Sequence, residues 1–599
     1  MSSLFTSLYT GASGIRTSQS ALNTTAHNLA NTDTKGYTRQ QLMSADFDYI
    51  DDGSGFKVGL GTQAAQVRQI RDVFMDKSYR TENARAGFYE SMNEAVTEVE
   101  ALFGELEGVQ FQNTLNEMWC AMQELQKEPE SLVTRSSFLQ TCVSFLERSQ
   151  NIYTQLSEYQ KTLNKKITDT VDRINEIGAR IIELNQKIDR YEAEKQQAND
   201  YRDERNDLLD ELSGYVKITY KERIGGIDIN IEGMQFVTGR VLNKLEAREI
   251  KKEVKLYDEN GEPIYGDDGK QMVSYQGTEM YDVYWTGPSA PKLYETLEYS
   301  AKQNSDMGSL KGLLISRGKY RANYTDIPIK PEEADFTDED GNLDEEGYQE
   351  AEIEYKEKLD NYHKFVKPAM IMRVQAEFDQ LVRETMIRIN DVLCPNVYSE
   401  EYGCYILDTE NCPVGMDEEL TMGEGIFNRK GMSRYTKIED GDEVVYLYNE
   451  EDPTDNYSLF TISEVEINSA VMDNFSKIPL NKQGNTGDYE MDICADLLAI
   501  WDQDSMSLGP DDYTTNTFME YYNAMTSEIA NEGSTIRILY ENQANMTENV
   551  QSQRVGLSGV SGDEELTHLI KYQQAYNSAS RYITVVDQML QELLSKVGA

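Results

Sequence analysis

The chain has 599 residues, too many for one hydrophobic core, and roughly 100 to 200 residues per domain leads us to expect about three to five domains. Its 105 acidic side chains against 57 Lys and Arg leave a net charge of −48, which repels phosphate backbones and anionic lipid surfaces and argues against nucleic acid or membrane as partners. With 39% hydrophobic and 27% charged residues it reads as a folded chain, and no run of about 18 apolar residues is present to span a bilayer.

Six cysteines stand scattered at 120, 142, 394, 404, 412 and 494, with no C-x-x-C pair and only three His in the chain, so neither a metal nor another cofactor is expected. The opening "MSSLFTSLYTGASGIRTSQS" lacks a basic region followed by an unbroken apolar one, so no cleavable secretory signal is expected. On that ground the chain is cytoplasmic or leaves the cell by an unconventional route.

The first predicted element is an amphipathic helix whose apolar side chains step by seven at Met1, Leu8, Ile15, Leu22 and Leu29, flanked by Leu4, Phe5, Ala12 and Ala26. Gly11, Ser13, Gly14 and Ser18 dilute it, each Gly costing about 1 kcal/mol relative to Ala, so the helix should be marginal alone. It ends in "HNLANTDTKGYTRQQ", where Asn31 is suited to a left-handed closing residue and Gly36 to the turn before Tyr37. This polar stretch reads as an elbow.

From about 61 to 215 helical spacing dominates; Ile167, Ile174, Ile181 and Ile188 in one register, with Leu156, Leu163, Ile177 and Leu184 in the other, predict a strut of roughly 50 residues or 75 Å. Residues 216–310 alternate, as in "GGIDINIEGMQFVTG", and carry Asn-Gly and Asp-Gly turns, predicting a β-rich domain. A linker with an acidic insertion follows over 311–365. Asp338, Asp340 and Asn342 have calcium-loop spacing, but Leu343 stands where Gly is needed and Gln349 where Glu is needed, so that match fails. A helix returns over 366–394, a second β-rich module fills 395–500, and a further helical strand fills 501–560, packing with the rod through about 513–556.

The last element, 561–599, is the better heptad: Leu569, Tyr576, Ile583, Leu590 and Val597 step by seven, with Tyr572, Ala579, Val586 and Leu593 on the second seam position. "SGDE" at Ser561 fits a capping box. The two terminal stripes pair with each other or with the same stripes in neighbouring subunits; heptads name a seam and leave the partner open. The fold class is α+β: a helical bundle including long terminal helices, with β-rich outer domains inserted. No catalytic constellation is found, and the chain is read as a non-enzyme.

The elbow resembles the N-terminal signature of the rod, hook and junction proteins of the bacterial flagellum, at Asn28, Leu29, Ala30, Asn31, Thr34, Gly36 and Tyr37. The continuation through Thr38 and Arg39 is closer to the hook-associated members than to the hook or rod proteins. "PESLVTRSSFLQ" (129–140), "ANDYRDERNDLLDELS" (198–213), "GSLKGLLISRGKY" (308–320) and "GVSGDEELTHLIKYQQAYNSASRYITVVDQMLQELL" (559–594) resemble blocks of the same members. The resemblance covers about 1–240 and 500–599 well and hardly touches 395–500.

It implies a structural part of the flagellum that joins hook to filament, is needed for filament assembly, and is exported by the flagellar type III apparatus without a cleaved signal. Implied partners are hook protein, a filament-side junction protein, copies of the chain in a ring, and an export chaperone that binds the C-terminal region. The resemblance also implies terminal segments that are disordered in the monomer and fold on assembly, through Leu4, Leu8, Ile15, Leu22 and Leu29 at one end and the 569–597 stripe at the other. The alternatives are a hook or distal-rod protein of the same family, or a secreted adhesin or hydrolase working through the outer β modules.

Overall fold

A computed structural model of the chain describes residues 2–51, 57–103, 111–194, 197–223, 225–256, 264–265, 272–287, 289–336, 344–440, 443–452, 455–483, 491–512 and 514–597. Helix α1 (Ser2–Ala30) leads into β1 (Gln40–Asp46), β2 (Tyr49–Asp51), β3 (Lys57–Gly59) and β4 (Thr62–Gln69). β1 pairs antiparallel with β4 and β2 with β3, making one long hairpin. Neither the 1–60 reading as helix and elbow nor the all-helical reading from 61 anticipated it. The reason is compositional: "QQLMSAD" and "TQAAQVRQ" are polar on both faces, so no period-two apolar signal marks them.

The rod begins with α2 (Val73–Phe103), α3 (Phe111–Lys127), α4 (Leu132–Ala193) and α5 (Asn199–Tyr215). The 62 residues of α4 reach about 93 Å, longer than the expected strut, and its Leu156, Leu163, Ile174, Ile181, Leu184 and Ile188 are all buried. Next come β5 (Ile218–Arg223), β6 (Gly226–Ile231), β7 (Met234–Thr238) and β8 (Val241–Leu242), a four-stranded antiparallel meander. The hairpin of β9 (Leu245–Lys255) and β10 (Val273–Trp285) follows it. The meander seats on α4 at Gly178, where a Cβ would fall 2.6 Å from both Phe236 and Leu242.

The expected linker holds two helices. α6 (Ser309–Arg317) is buried against α2, its Gly312 so close that a Cβ would lie 2.8 Å from the Phe88 carbonyl. α7 (Glu345–Asn361) occupies much of the acidic run and is capped by Asp344, whose carboxylate accepts from the Gly347 amide at 3.1 Å. Asp338, Asp340, Asn342 and Leu343 lie outside the described residues. α8 (Met370–Leu393) then returns through the core.

The 395–500 module mixes β11 (Asn396–Ser399), β12 (Cys404–Leu407), β13 (Phe427–Arg429), β14 (Tyr435–Asp440), β15 (Glu443–Tyr448) and β16 (Val465–Ile467) with α9 (Ser469–Asp473) and α10 (Met491–Ala499). Buried Arg135, from the 129–140 block, holds it to the start of α4 by donating to the carbonyls of Pro129 (2.7 Å) and Ile478 (2.8 Å). α11 (Phe518–Ser558) opens with a reciprocal capping box between Thr517 and Glu520. Among the described residues of 501–517 stand the end of a short 3-10 turn (Ile500–Asp502) and a single bridge between Met506 and Asn516, so the helical strand expected from 501 begins later. α12 (Gly562–Val597) ends the chain.

Phe103, Phe111, Phe145, Phe378 and Tyr522 form an aromatic centre with rings 5.0 to 5.6 Å apart, joining α2, α3, α4, α8 and α11. Two fully buried carboxylates sit beside it on α8. Burial pushes Glu377 up to about 8 against the pull of Arg373, and Asp379 up to about 7 against the amides of Tyr324 and Ile462 that it accepts. A folded pKa above the unfolded one means that the contribution is complete below the ordinary carboxylate range and is lost as pH rises through 7 and then 8. We therefore expect the rod to melt several degrees lower at pH 8.5 than at pH 6, because each tenfold difference in proton affinity between the folded and unfolded chain is worth about 1.4 kcal/mol. Glu377→Gln should flatten that slope; calorimetry showing equal midpoints in the parent chain would contradict the assignment.

Candidate assembly interface

α1 and α12 pack side by side and antiparallel: Gly11 meets Ile583, Gly14 meets Ala579, and Asn28 meets Glu565. A Cβ on Gly11 would fall 2.6 Å from Ile583 Cγ1. The buried positions of α1 are Gly11, Ala21, Thr25 and Asn28, with half-buried Gly14 and Ser18 between them, a three-four spacing of small side chains. They receive bulky Tyr572, Tyr576, Ile583, Val586, Leu590 and Leu593 of α12, of which Val586 is buried and the others half-buried, as is Leu569 one step earlier.

This corrects the expected seam. Leu8, Ile15, Leu22 and Leu29 are only half-buried, on a flank that lies roughly 80° around the helix from the small residues at 100° per residue. Hydrophobicity alone ranks leucines as the seam, but a bulky partner helix needs small residues opposite it, so the glycines read as dilution are contact points. The β1–β4 hairpin covers the opposite flank of α1, with Ser13 Oγ accepting from the Thr62 amide at 3.2 Å. Gly61, at φ +106°, passes so near that a Cβ would lie 3.2 Å from Thr10 Cα. Met1 and the side chains of Leu4 and Val597 lie outside the described residues. Phe5, Tyr9, Leu566, Ile570, Val585, Met589 and Leu594 stay exposed, the last at 66%.

At the elbow three separated sequence blocks converge. Asn28 uses its whole amide: Nδ2 donates to the Gln40 carbonyl (2.8 Å) and Glu565 (3.1 Å), while Oδ1 accepts from the Gln40 amide (3.0 Å) and the Tyr37 hydroxyl (2.9 Å). Arg39 reaches Glu565 at 2.8 Å and Glu564 at 3.0 Å, and its amide donates to the Ser558 carbonyl at 2.9 Å. From α5, Asp203 accepts the Thr38 amide at 3.1 Å, Asp200 accepts from Gln40 at 3.0 Å, and Asn199 donates to Gln40 at 3.2 Å. Burial is the main cause that lifts Asp203 to about 6, against the Thr38 hydrogen bonds and Arg71, and burial with these carboxylates raises Tyr37.

Helix α1 ends differently from the expectation. Asn31 is not left-handed; its Nδ2 donates to the His27 carbonyl at 2.9 Å, and Thr32 Oγ1 donates to the Leu29 carbonyl at 2.9 Å, so side chains satisfy the last turn. Thr34 donates to Asn31, Gly36 takes φ +78°, and Ala30 is exposed at the helix end. The capping box expected at Ser561 is half made: Ser561 Oγ accepts from the Glu564 amide at 3.5 Å, but the Glu564 carboxylate turns to Arg39. Gln40, Asn199, Asp203 and Glu565 were not among the expected site residues. Glu565 carried a readable signal, since it stands four residues before Leu569, on the seam, where a charged side chain is out of place.

Residues 96–324 match the helical domain of flagellar hook-associated protein FlgK, residues 551–596 the C-terminal region of flagellar basal body rod FlgEFG proteins, and residues 8–38 the flagellar basal body rod protein family. The matched termini contain the helix pair and half of the elbow. Flagellar hook-associated protein 1 of Bacillus subtilis is 24% identical over 100% of this chain and 99% of its own length. The chain is thus similar along its whole length to flagellar hook-associated protein 1. The Escherichia coli member is 21% identical over 97% of this chain and 98% of its own. The flagellar hook junction protein FlgK from Burkholderia pseudomallei superposes loosely, with a TM-score of 0.44 and 10% identity over 82% of this chain and all of that one.

Proposed function

We infer that the chain is a structural component of the bacterial flagellum that joins hook to filament, as its family relationship indicates, and that it assembles through its terminal helices. The observation that carries the assembly reading is the α1–α12 pair, whose inner seam is filled within one chain while Leu8, Ile15, Leu22, Leu566, Ile570 and Met589 leave apolar flanks open. Apolar flanks left open in this way fit head-to-tail contacts with neighbouring copies, which build rings and helical lattices. Each large side chain so covered contributes about 1.5 to 3 kcal/mol.

On this reading hook protein lies on one side, a filament-side junction protein on the other, and copies of the chain complete a ring. Export needs no cleaved signal, and a chaperone covers the C-terminal stripe beforehand. No chemistry is performed. Gold-labelled antibody against the chain, applied to cells that make hooks without filaments, should mark hook tips only. Label along the hook would favour the hook-protein alternative, and label at its base the distal rod.

A further inference from the structure

We propose that Asn28 and Glu565 form a register lock: the polar pair, rather than the apolar seam, fixes how far α1 and α12 slide along each other, and so fixes which apolar side chains a neighbouring copy meets.

Both residues occupy seam positions. Asn28 continues the buried series through Ala21 and Thr25, and Glu565 precedes Leu569 by four residues and Tyr572 by seven. They are 1% and 2% exposed, so a slipped pair would bury one carboxylate against small apolar residues without a partner. The rest of the seam selects weakly: small residues at three-four spacing face residues that are bulky at three-four spacing except at Ala579, and a shift by seven changes the match mainly there, bringing Tyr572 or Val586 opposite Gly14. In the observed register Glu565 receives Asn28 Nδ2 at 3.1 Å and Arg39 Nε at 2.8 Å. Arg39 is itself held, through its backbone, to Ser558 and Ile70. The lock therefore refers the sliding helices to the fixed end of the rod, α11 and the β1–β4 hairpin.

This rests on the assembly reading only for its consequence, and its test uses the unassembled full-length chain, so that failure of one is distinguishable from failure of the other. In a chain with Cys120→Ser and Cys404→Ser, which removes the two cysteines that are not buried, Gly14→Cys with Ala579→Cys reports the native register. A Cβ at position 14 stands 3.4 Å from the Ala579 Cβ, within reach of a disulfide on mild oxidation. Gly14→Cys with Tyr572→Cys or with Val586→Cys reports a slip of seven residues either way. With Glu565→Ala, native cross-linking should fall about tenfold and a slipped cross-link should appear, at unchanged helicity by circular dichroism. Glu565→Gln, which keeps an acceptor for Arg39 and Asn28, should restore most of the native product. Unchanged native cross-linking in Glu565→Ala would overturn the lock. So would loss of every cross-link together with helicity, because Glu565 would then supply stability and not register.

Discussion

Replacing Asn28 by Leu is expected to loosen both terminal helices while leaving the rod intact. The substitution strands the Tyr37 hydroxyl and both backbone groups of Gln40, all buried or half-buried, and removes one of the two donors on Glu565. At about 1 to 3 kcal/mol for each buried group left unpaired, three such groups sum to at least about 3 kcal/mol. Amide exchange read by mass spectrometry should show protection in α1 and the first half of α12 falling about 100-fold, with α4 and α8 unaffected. Asn28→Asp should be no better, because it turns a carboxylate toward Glu565. Native-like protection of α1 in Asn28→Leu would show that the elbow does not hold the pair.

Removing residues 562–599 should have the larger functional effect. Of the 29 residues of α1, 13 are Gly, Ser or Thr, which at about 0.5 to 1 kcal/mol each weaken the isolated helix by roughly 7 kcal/mol relative to Ala. Without the bulky face of α12 nothing offsets that deficit, and Arg39 loses both carboxylates. The truncated chain should stay soluble, keep the melting transition of its helical core, lose α1 rapidly to protease, and leave hooks bare of filaments in cells that carry no intact copy. Normal filaments from the truncated chain would refute assembly through the terminal pair.

The elements that could be read from sequence are those whose periodicity is set by burial. α4 buries one stripe, the second half of α8 buries another, α12 turns one toward α1, and β6 buries Ile227, Ile229 and Ile231 on alternate positions. The β1–β4 hairpin escaped notice because it has polar residues on both faces and is held by backbone pairing and contact with α1. α6 was hidden in a supposed linker because it is buried nearly all round, so it has no polar face to give a helical period. The seam of α1 was misplaced for a related reason: glycine and alanine carry no hydrophobic signal, yet they decide how closely two helices approach. At the elbow, Asn28, Tyr37 and Arg39 could be named from a local motif. Their partners Asp203 and Glu565 could not, since they lie about 165 and 530 residues away and only the fold brings them together.

The small-residue seam also bears on the bore of the proposed ring. Helices that meet through glycine and alanine approach to about 8 Å between axes, the low end of the usual range. A tube lined by such pairs has a thin wall at a given circumference of subunits. More of its cross-section is then left for the central passage, through which subunits destined for the far end would have to travel.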